Sequence, residues 1–489
     1  MPLSRRELLS RSAAGLGLAV IGRATGLFDA LPAGASPGDY GPLAPTLPTN
    51  GGPAVLALPD GFTYRTFGAT GTPMLSGGVH ARSHDGMAAL PTRHRNVTRL
   101  TRNQEVRTAP GTTPGINAVG GPLSTKYDAK GVGGVTVIDF DTVTGQVVNE
   151  FVGINGTIVN CAGGIAHHSR GWITCEETTA GPQSGWDQRH GYAFFLPVDA
   201  TATVPAVPLA AMGRFAHEAC AVDQRGIVYE TEDAGSSRPS GFYRFLPINP
   251  NRLDLGGTLQ MLAVDGHPGL DLREGRTVGE PLAVRWVTID DPDPDPVVEF
   301  GAAGANSCFT QGFASGGAKF NRLEGIWADG NRIVFCSTSG GDVKNGDAPG
   351  GDGYVEGYGQ IWEYLGTGRA DGGTLTLIYE STSGAVLDSP DNLLVTPRGG
   401  IVLCEDDASD VDDDTHPLAP GIENVNRLVG LVPGGDPFEL AVNVLNDSEL
   451  AGACFGPDGT TLFVNVFGGS TPGSGMTCAI TGPWERGGL

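Results

Sequence analysis

One phrase recurs along this 489-residue chain, and its recurrence restricts the available folds more than any other feature. Its clearest copy, NCAGGIAHHSRGWITCEET, spans Asn160 to Thr178: a cysteine opens it, an apolar strand (Gly171 to Cys175) crosses it, and Glu176 and Glu177 close it. The outline returns as HEACAVDQRGIVYETED (His217–Asp233), LEGIWADGNRIVFCST (Leu323–Thr338) and PDNLLVTPRGGIVLCEDD (Pro390–Asp407). Fainter copies begin at Ser83 and at Leu450. Each starts on a polar or small residue, turns on Gly, Asp or Asn, and then reads as a short β strand. Repeats of about 50–75 residues that carry short strands are the sequence form of a radially repeated sheet. The expected fold is all-β, a six-bladed β-propeller, with seven blades as the alternative because the Glu218–Glu324 interval is long.

Aligning the copies on the strand puts Asp85, Cys161, Glu218, Glu324 and Asp391 in one slot, with Gly452 as an empty sixth. A second slot at the strand's end holds Glu105, Glu176, Glu232 and Asp406. In a propeller, equivalent positions form a ring about the axis. Four carboxylates and a thiol in such a ring repel one another unless cations compensate them. The repeat therefore predicts a metal centre at the channel mouth. Carboxylates suit hard cations such as Ca²⁺, and the thiolate of Cys161 suits a transition metal.

Bulk properties fit this reading. The 77 Gly and 35 Pro residues lack a collagen period and serve as turns. The net charge of −23 argues against nucleic acid and anionic membranes as partners, although solubility accounts for part of it. The first 35 residues form a twin-arginine signal: Ser4-Arg5-Arg6-Glu7-Leu8-Leu9, an apolar Ala13–Val20 run and a small-residue cleavage site at Ala33-Gly34-Ala35. That run is too short and interrupted for a transmembrane segment. The expectation is export by the twin-arginine translocation machinery, as a monomer, to the periplasm, cell wall or exterior. Residues 36–54 read as a linker, and 55–489 as one propeller domain. Of the eight cysteines, Cys175, Cys336 and Cys404 share one strand position where a small buried hydrophobe fits. Cys220, Cys308, Cys454 and Cys478 are left open to pairing.

No Walker loop, dinucleotide-binding glycine pattern, HExxH or GxSxG is present, which removes most nucleotide enzymes and serine hydrolases but not metal hydrolases. Arg322, two residues before Glu324, is placed to bind phosphate oxygens, with Arg214 as a second candidate. His217 reads as a ligand, a donor behind the ligands or a packed histidine, with the donor favoured, and His167-His168 as a pair in a loop that is either exposed or part of a site. DDPDPDP (Asp290–Pro296) reads as a solvated excursion.

The phrases HDGMAALP, NCAGG…TCEET, GRFAHEACAVD…GIVYETED, LEGIWADG, PDNLLVTPRGGIVLCED and AGACFGPDGTTLFVNV together resemble the PhoX-type alkaline phosphatase family, in its order, over roughly Leu58 to Trp484. The resemblance implies a twin-arginine-exported six-bladed propeller that hydrolyses phosphate monoesters at a cluster of Fe³⁺ and Ca²⁺. It places Cys161 and Glu176 on iron, Glu218, Glu324 and Asp391 on iron or calcium, and Arg322 against phosphate. The expected metal set is Asp85, Glu105, Cys161, Glu176, Glu218, Glu324, Asp391 and Asp406, with Arg322 and Glu324 catalytic. Two departures stand out. Gln104 replaces a histidine of the relatives, so an imidazole near the site is expected to be missing. Ala166-His167-His168-Ser169 stands where they carry Pro-Trp-Gly. The competing readings are a calcium-dependent propeller lactonase, which would not need Cys161, and a non-catalytic metal-binding scaffold.

Overall fold

A computed structural model describes residues 40–489 apart from 342–343, 345–348, 351–352, 368–371 and 408–414. The export signal expected over residues 1–35 lies outside the described residues. The chain is an all-β propeller. Among the described residues only Cys308–Ala314 forms an α-helix, started by the Ser307 side chain, which accepts from the Thr310 N–H.

Six strands line the axis: β1 (His84–Pro91), β2 (Asn160–Ile165), β3 (His217–Val222), β4 (Leu323–Asp329), β5 (Pro390–Val395) and β6 (Leu450–Phe455). They neighbour one another in sequence order, and β6 returns to β1. Each is flanked by structure on both faces, so each is short, nearly all buried and rich in small or apolar residues instead of alternating. The outer strands are joined by tight turns. In the hairpin Gly133–Asp141/Gln146–Thr157, the Asp141 side chain accepts from the N–H groups of Val143 and Thr144, and Gly145 takes the φ of +67° that closes the turn.

The expected six sheets are five by hydrogen bonding. The long stretch after β3 explains the difference. It supplies Gly257–Val264 and Pro281–Thr288, and the latter pairs with Gly373–Glu380 of the next unit. The units of β3 and β4 thereby form one nine-stranded sheet, and no seventh axial strand occurs among the described residues. Residues 290–296 are not a free excursion. Tyr192 and Arg189 bind Asp293, and Arg214 binds the carbonyls of Pro292 and Pro294.

The ring closes through Thr63–Phe67, the outermost strand of the last sheet, which pairs with Met476–Thr481. Structure begins earlier than the linker reading implied. Leu43–Thr46 pairs with Leu56–Pro59, which pairs with Phe438–Asn443. Pro45 is tolerated there because the strand is an edge. Between first and last sheets, Met87, Leu100, Phe140 and Phe463 pack together, and each such burial is worth roughly 1.5–3 kcal/mol.

All eight cysteines are buried and unpaired. Cys175, Cys336 and Cys404 do share one position with Asn103, Thr231 and Asn465 in the strands beside the axial ones. This position ties one unit to the next. Asn103 Nδ2 donates to the carbonyls of Cys161 and Ala162, Thr231 to that of Glu324, Cys336 to that of Asp391 and Asn465 to that of Asp85.

Candidate metal centre and active site

The slot that holds Asp85, Cys161, Glu218, Glu324 and Asp391 has a backbone cause. In all six units the pairing of the axial strand with its neighbour breaks two or three residues in, a β-bulge at the same place each time. A bulge re-aims the residue it frees. Here it turns five polar side chains to one end of the axis. Gly452 is the sixth because the axis is tight. A Cβ there would lie 2.5 Å from the Asp85 carbonyl oxygen and 2.8 Å from the Met87 nitrogen, and the residue sits at φ +61°.

A second repeated feature fixes the rest of the ring. The residue before each axial strand gives its carbonyl to an N–H just past the neighbouring strand. Glu105 donates to Ser83, Glu177 to Val159, Asp233 to Ala216, Thr338 to Arg322, Asp406 to Ser389 and Phe467 to Glu449, at 2.9–3.2 Å. Ser83, Val159, Arg322 and Ser389 hold left-handed φ of 40–60° to present those carbonyls. Strain of this kind concentrates at functional sites.

The result is a cavity of about 290 Å³ lined by Asp85, Glu105, Cys161, Glu177, Glu218, Glu324, Asp391, Asp406 and Glu449, with Arg82, Arg107, Arg322, Ser83 and Phe467. Seven of the eight expected metal residues converge there. Glu176 does not. It lies one residue inside the turn, and its carboxylate is consumed by the N–H groups of Ile158, Gly191 and Tyr192 and by His190 Nδ1 at 2.7 Å. Glu177 takes its place. Glu232 is likewise turned away, onto Gly241 N–H and the Tyr243 hydroxyl, and Asp233 is the residue near the cavity. Glu105 and Asp406 were read in the correct register; Glu176 and Glu232 were one residue early.

The other candidates divide similarly. Arg322 reaches Asp233 through Nε at 3.2 Å and Glu324 through Nη2 at 2.7 Å. Arg214 is buried against the carbonyls of Thr179, His190 and Pro294 and does not reach the cavity. His217 is a packed histidine, stacked on Phe215 and paired with Glu230 at 3.3 Å. Gln104 faces away from the cavity and accepts from Thr136, so the side chain at this position is not part of the site. His167 and His168 lie at the opposite end of the axis, beside a separate cavity with Trp172 and Trp327. Glu449, Arg82, Arg107 and Phe467 were not anticipated. Glu449 stands directly before β6, the position Arg322 holds before β4.

The acids form four groups whose ligand atoms lie within 4.8 Å of one another: Asp85–Glu105–Cys161, Cys161–Glu177–Glu218, Glu218–Glu324–Asp391 and Asp391–Asp406–Glu449. Cys161, Glu218 and Asp391 each belong to two. Cys161 Sγ donates to Asp85 Oδ2 at 2.9 Å. Buried oxygens of Asp85 and Glu218 have no hydrogen-bond partner. Burial, with Arg107 opposing and Asp85 adding, pushes Glu105 up to about 8. Burial and Asp406 push Asp391 up to about 6. Asp85, Glu177, Glu218, Glu324 and Glu449 are raised well above the carboxylate range by burial first and then by neighbouring carboxylates, chiefly Asp391, Asp406 and Asp233, although Arg107 lowers Glu177 and Arg322 lowers Glu324. Burial and Asp85 raise the Cys161 thiol. A cluster that resists ionisation and carries orphaned oxygens is one that metal cations would complete. The donor set suits mixed occupancy, since two groups contain sulfur and two contain oxygen alone.

Comparison with known proteins gives the family and the fold. The family model described as Alkaline phosphatase PhoX matches residues 38–473. Among solved structures, Pseudomonas fluorescens PhoX in complex with vanadate, a transition state analogue, aligns with a TM-score of 0.62 at 18% identity, covering 94% of this chain and 98% of that one. The gluconolactonase XC5397 of Xanthomonas campestris aligns with a TM-score of 0.40 at 12% identity, over 93% and 99% of the two chains. No curated protein matches the sequence.

Proposed function

Because the chain belongs to the alkaline phosphatase PhoX family and is a phosphoester hydrolase, we propose that it is an exported phosphomonoesterase whose carboxylate-lined cavity holds iron and calcium. The observation that carries the metal reading is the chain of four ligand groups, two of them sharing Cys161. The sulfur-containing groups fit iron, and Glu218–Glu324–Asp391 and Asp391–Asp406–Glu449 fit calcium. Cations bound there would supply positive charge for the phosphoryl oxygens and Lewis acidity towards water. The protein's own part is to hold and orient. Asp233 and Glu324 fix the Arg322 guanidinium, whose remaining donors then meet phosphoryl oxygens as charge develops on them. Glu324 serves both as a ligand and as the anchor of that arginine. Export is supported by the Arg5-Arg6 motif and its apolar run, and no helix of the described residues is long and apolar enough to cross a membrane.

Cys161→Ser tests the assignment. Serine keeps the size of the side chain and removes the soft ligand, so iron content should fall and p-nitrophenyl phosphate turnover should drop by about 10²-fold or more. A serine variant with undiminished turnover would show a phosphatase that works on carboxylate-held cations alone, and lactone turnover in place of p-nitrophenyl phosphate turnover would favour the calcium-dependent lactonase.

A further inference from the structure

Three arginines line the cavity, and two are spoken for. Arg107 pairs with Glu105 and Glu177, and Arg322 with Asp233 and Glu324. Arg82 is different. Its backbone N–H reaches the Ile116 carbonyl at 2.9 Å, but its side chain makes no ion pair among the described residues, and its Nε is buried without a hydrogen-bond partner. Leaving such a donor unsatisfied costs stability, which is recovered when a ligand provides the acceptor.

The sector around Arg82 also differs from the rest of the ring. Each other unit places at least one acid in the two slots, whereas this one has Gly452 in the first and Phe467 in the second, with Glu449 before β6 as its one acid on the cavity. The seam between β1 and the last sheet carries Arg82 and Phe467 together: His84 N–H donates to the Phe467 carbonyl at 2.9 Å and Ser83 N–H to that of Gly468 at 3.2 Å. One wall of an otherwise acidic cavity is thus apolar and cationic. Carbon can pack on it, and a second anion can be bound beside it.

We propose that Arg82 and Phe467 form the leaving-group subsite, and that the preferred substrates are phosphomonoesters whose alcohol part carries a second anionic group, a carboxylate or phosphate, on a short carbon segment. The proposal rests on the phosphatase reading of the cavity. Phe467 contacts the carbon segment, and Arg82 receives the distal anion in its planar fork.

Calorimetric titration of the metal-loaded protein with non-hydrolysable ligands tests it without requiring turnover. The wild type should bind 3-phosphonopropionate and ethane-1,2-bisphosphonate about 10-fold or more tighter than propylphosphonate. Arg82→Gln should abolish that preference, and Arg82→Lys, which keeps the charge but not the fork, should retain part of it. Equal affinities in the wild type would overturn the proposal, as would a preference that survives Arg82→Gln. Equal wild-type affinities overturn the proposal even if a variant does not fold, and Arg82→Lys supplies a second reading of a wild-type preference. Preference without turnover of any phosphomonoester would sink the phosphatase reading and leave the subsite standing. Turnover without preference would do the reverse.

Discussion

Asp391→Asn should lower kcat/KM for p-nitrophenyl phosphate by about 10³-fold and strip metal from the protein. The reason is position. Asp391 is shared by two ligand groups, Glu218–Glu324–Asp391 and Asp391–Asp406–Glu449, so one substitution weakens both. The amide is isosteric and leaves the local frame intact. The Asp391 carbonyl still accepts from Cys336, and Asn392 still holds the Gly452 N–H through its own side-chain oxygen at 2.6 Å. The stability effect should have the opposite sign in the metal-free protein. Burial and Asp406 raise Asp391 to about 6 from the ordinary aspartate value of 3.8, so its ionisation opposes folding. The favourable state is the protonated one, fully present below about 4 and lost as pH rises through 6. Metal-free wild type should therefore gain stability as pH falls across that window. At pH 7 the metal-free Asp391→Asn variant should melt above the metal-free wild type, while the metal-loaded order reverses. A variant that retains full metal and turnover would remove Asp391 from the centre.

Gly452→Ala should destabilise the fold by about 2–4 kcal/mol without removing any ligand side chain. The added Cβ would stand 2.5 Å from the Asp85 carbonyl oxygen and 2.8 Å from the Met87 nitrogen, both backbone atoms of β1, at a residue with φ +61°. The Asp85 carbonyl is also held by Asn465 Nδ2 at 2.6 Å, so β1 cannot yield freely. Gly399→Ala is the control. Gly399 has φ +90° but open space around its Cβ position, so only backbone strain is added. Equilibrium denaturation of the two metal-free variants should separate steric from conformational cost. Similar losses in both would show that the close approach of β6 to β1 is not what reserves this slot for glycine.

Much of the centre was legible because it follows a backbone repeat. Asp85, Cys161, Glu218, Glu324 and Asp391 share an offset from the axial strand, and a bulge at one place in every unit converts that offset into one end of the axis. The second slot was harder to read. Whether Glu176 or Glu177 faces the cavity depends on which N–H returns to the Val159 carbonyl, and a one-residue difference moves a side chain to the other face of a strand. In a Glu-Glu pair the pattern does not distinguish them; the buried His190 that claims Glu176 is 14 residues away. Arg214 failed as a phosphate ligand for a similar reason, since its partners are carbonyls of distant loops. Blade boundaries were obscured where Pro281–Thr288 joins two units, because sharing an outer strand leaves no mark on the axial repeat. The departures at Gln104 and at Ala166–Ser169 looked close to the site in sequence, yet one faces away from the cavity and the other lies at the far end of the axis.

The decisive measurement is elemental analysis of the exported protein with p-nitrophenyl phosphate turnover read on the same sample, before and after chelation. Iron and calcium should be present together, with turnover lost on chelation and restored when both are returned. Undiminished phosphatase turnover in a sample free of iron would contradict the assignment of Cys161 and, with it, the mixed metal centre.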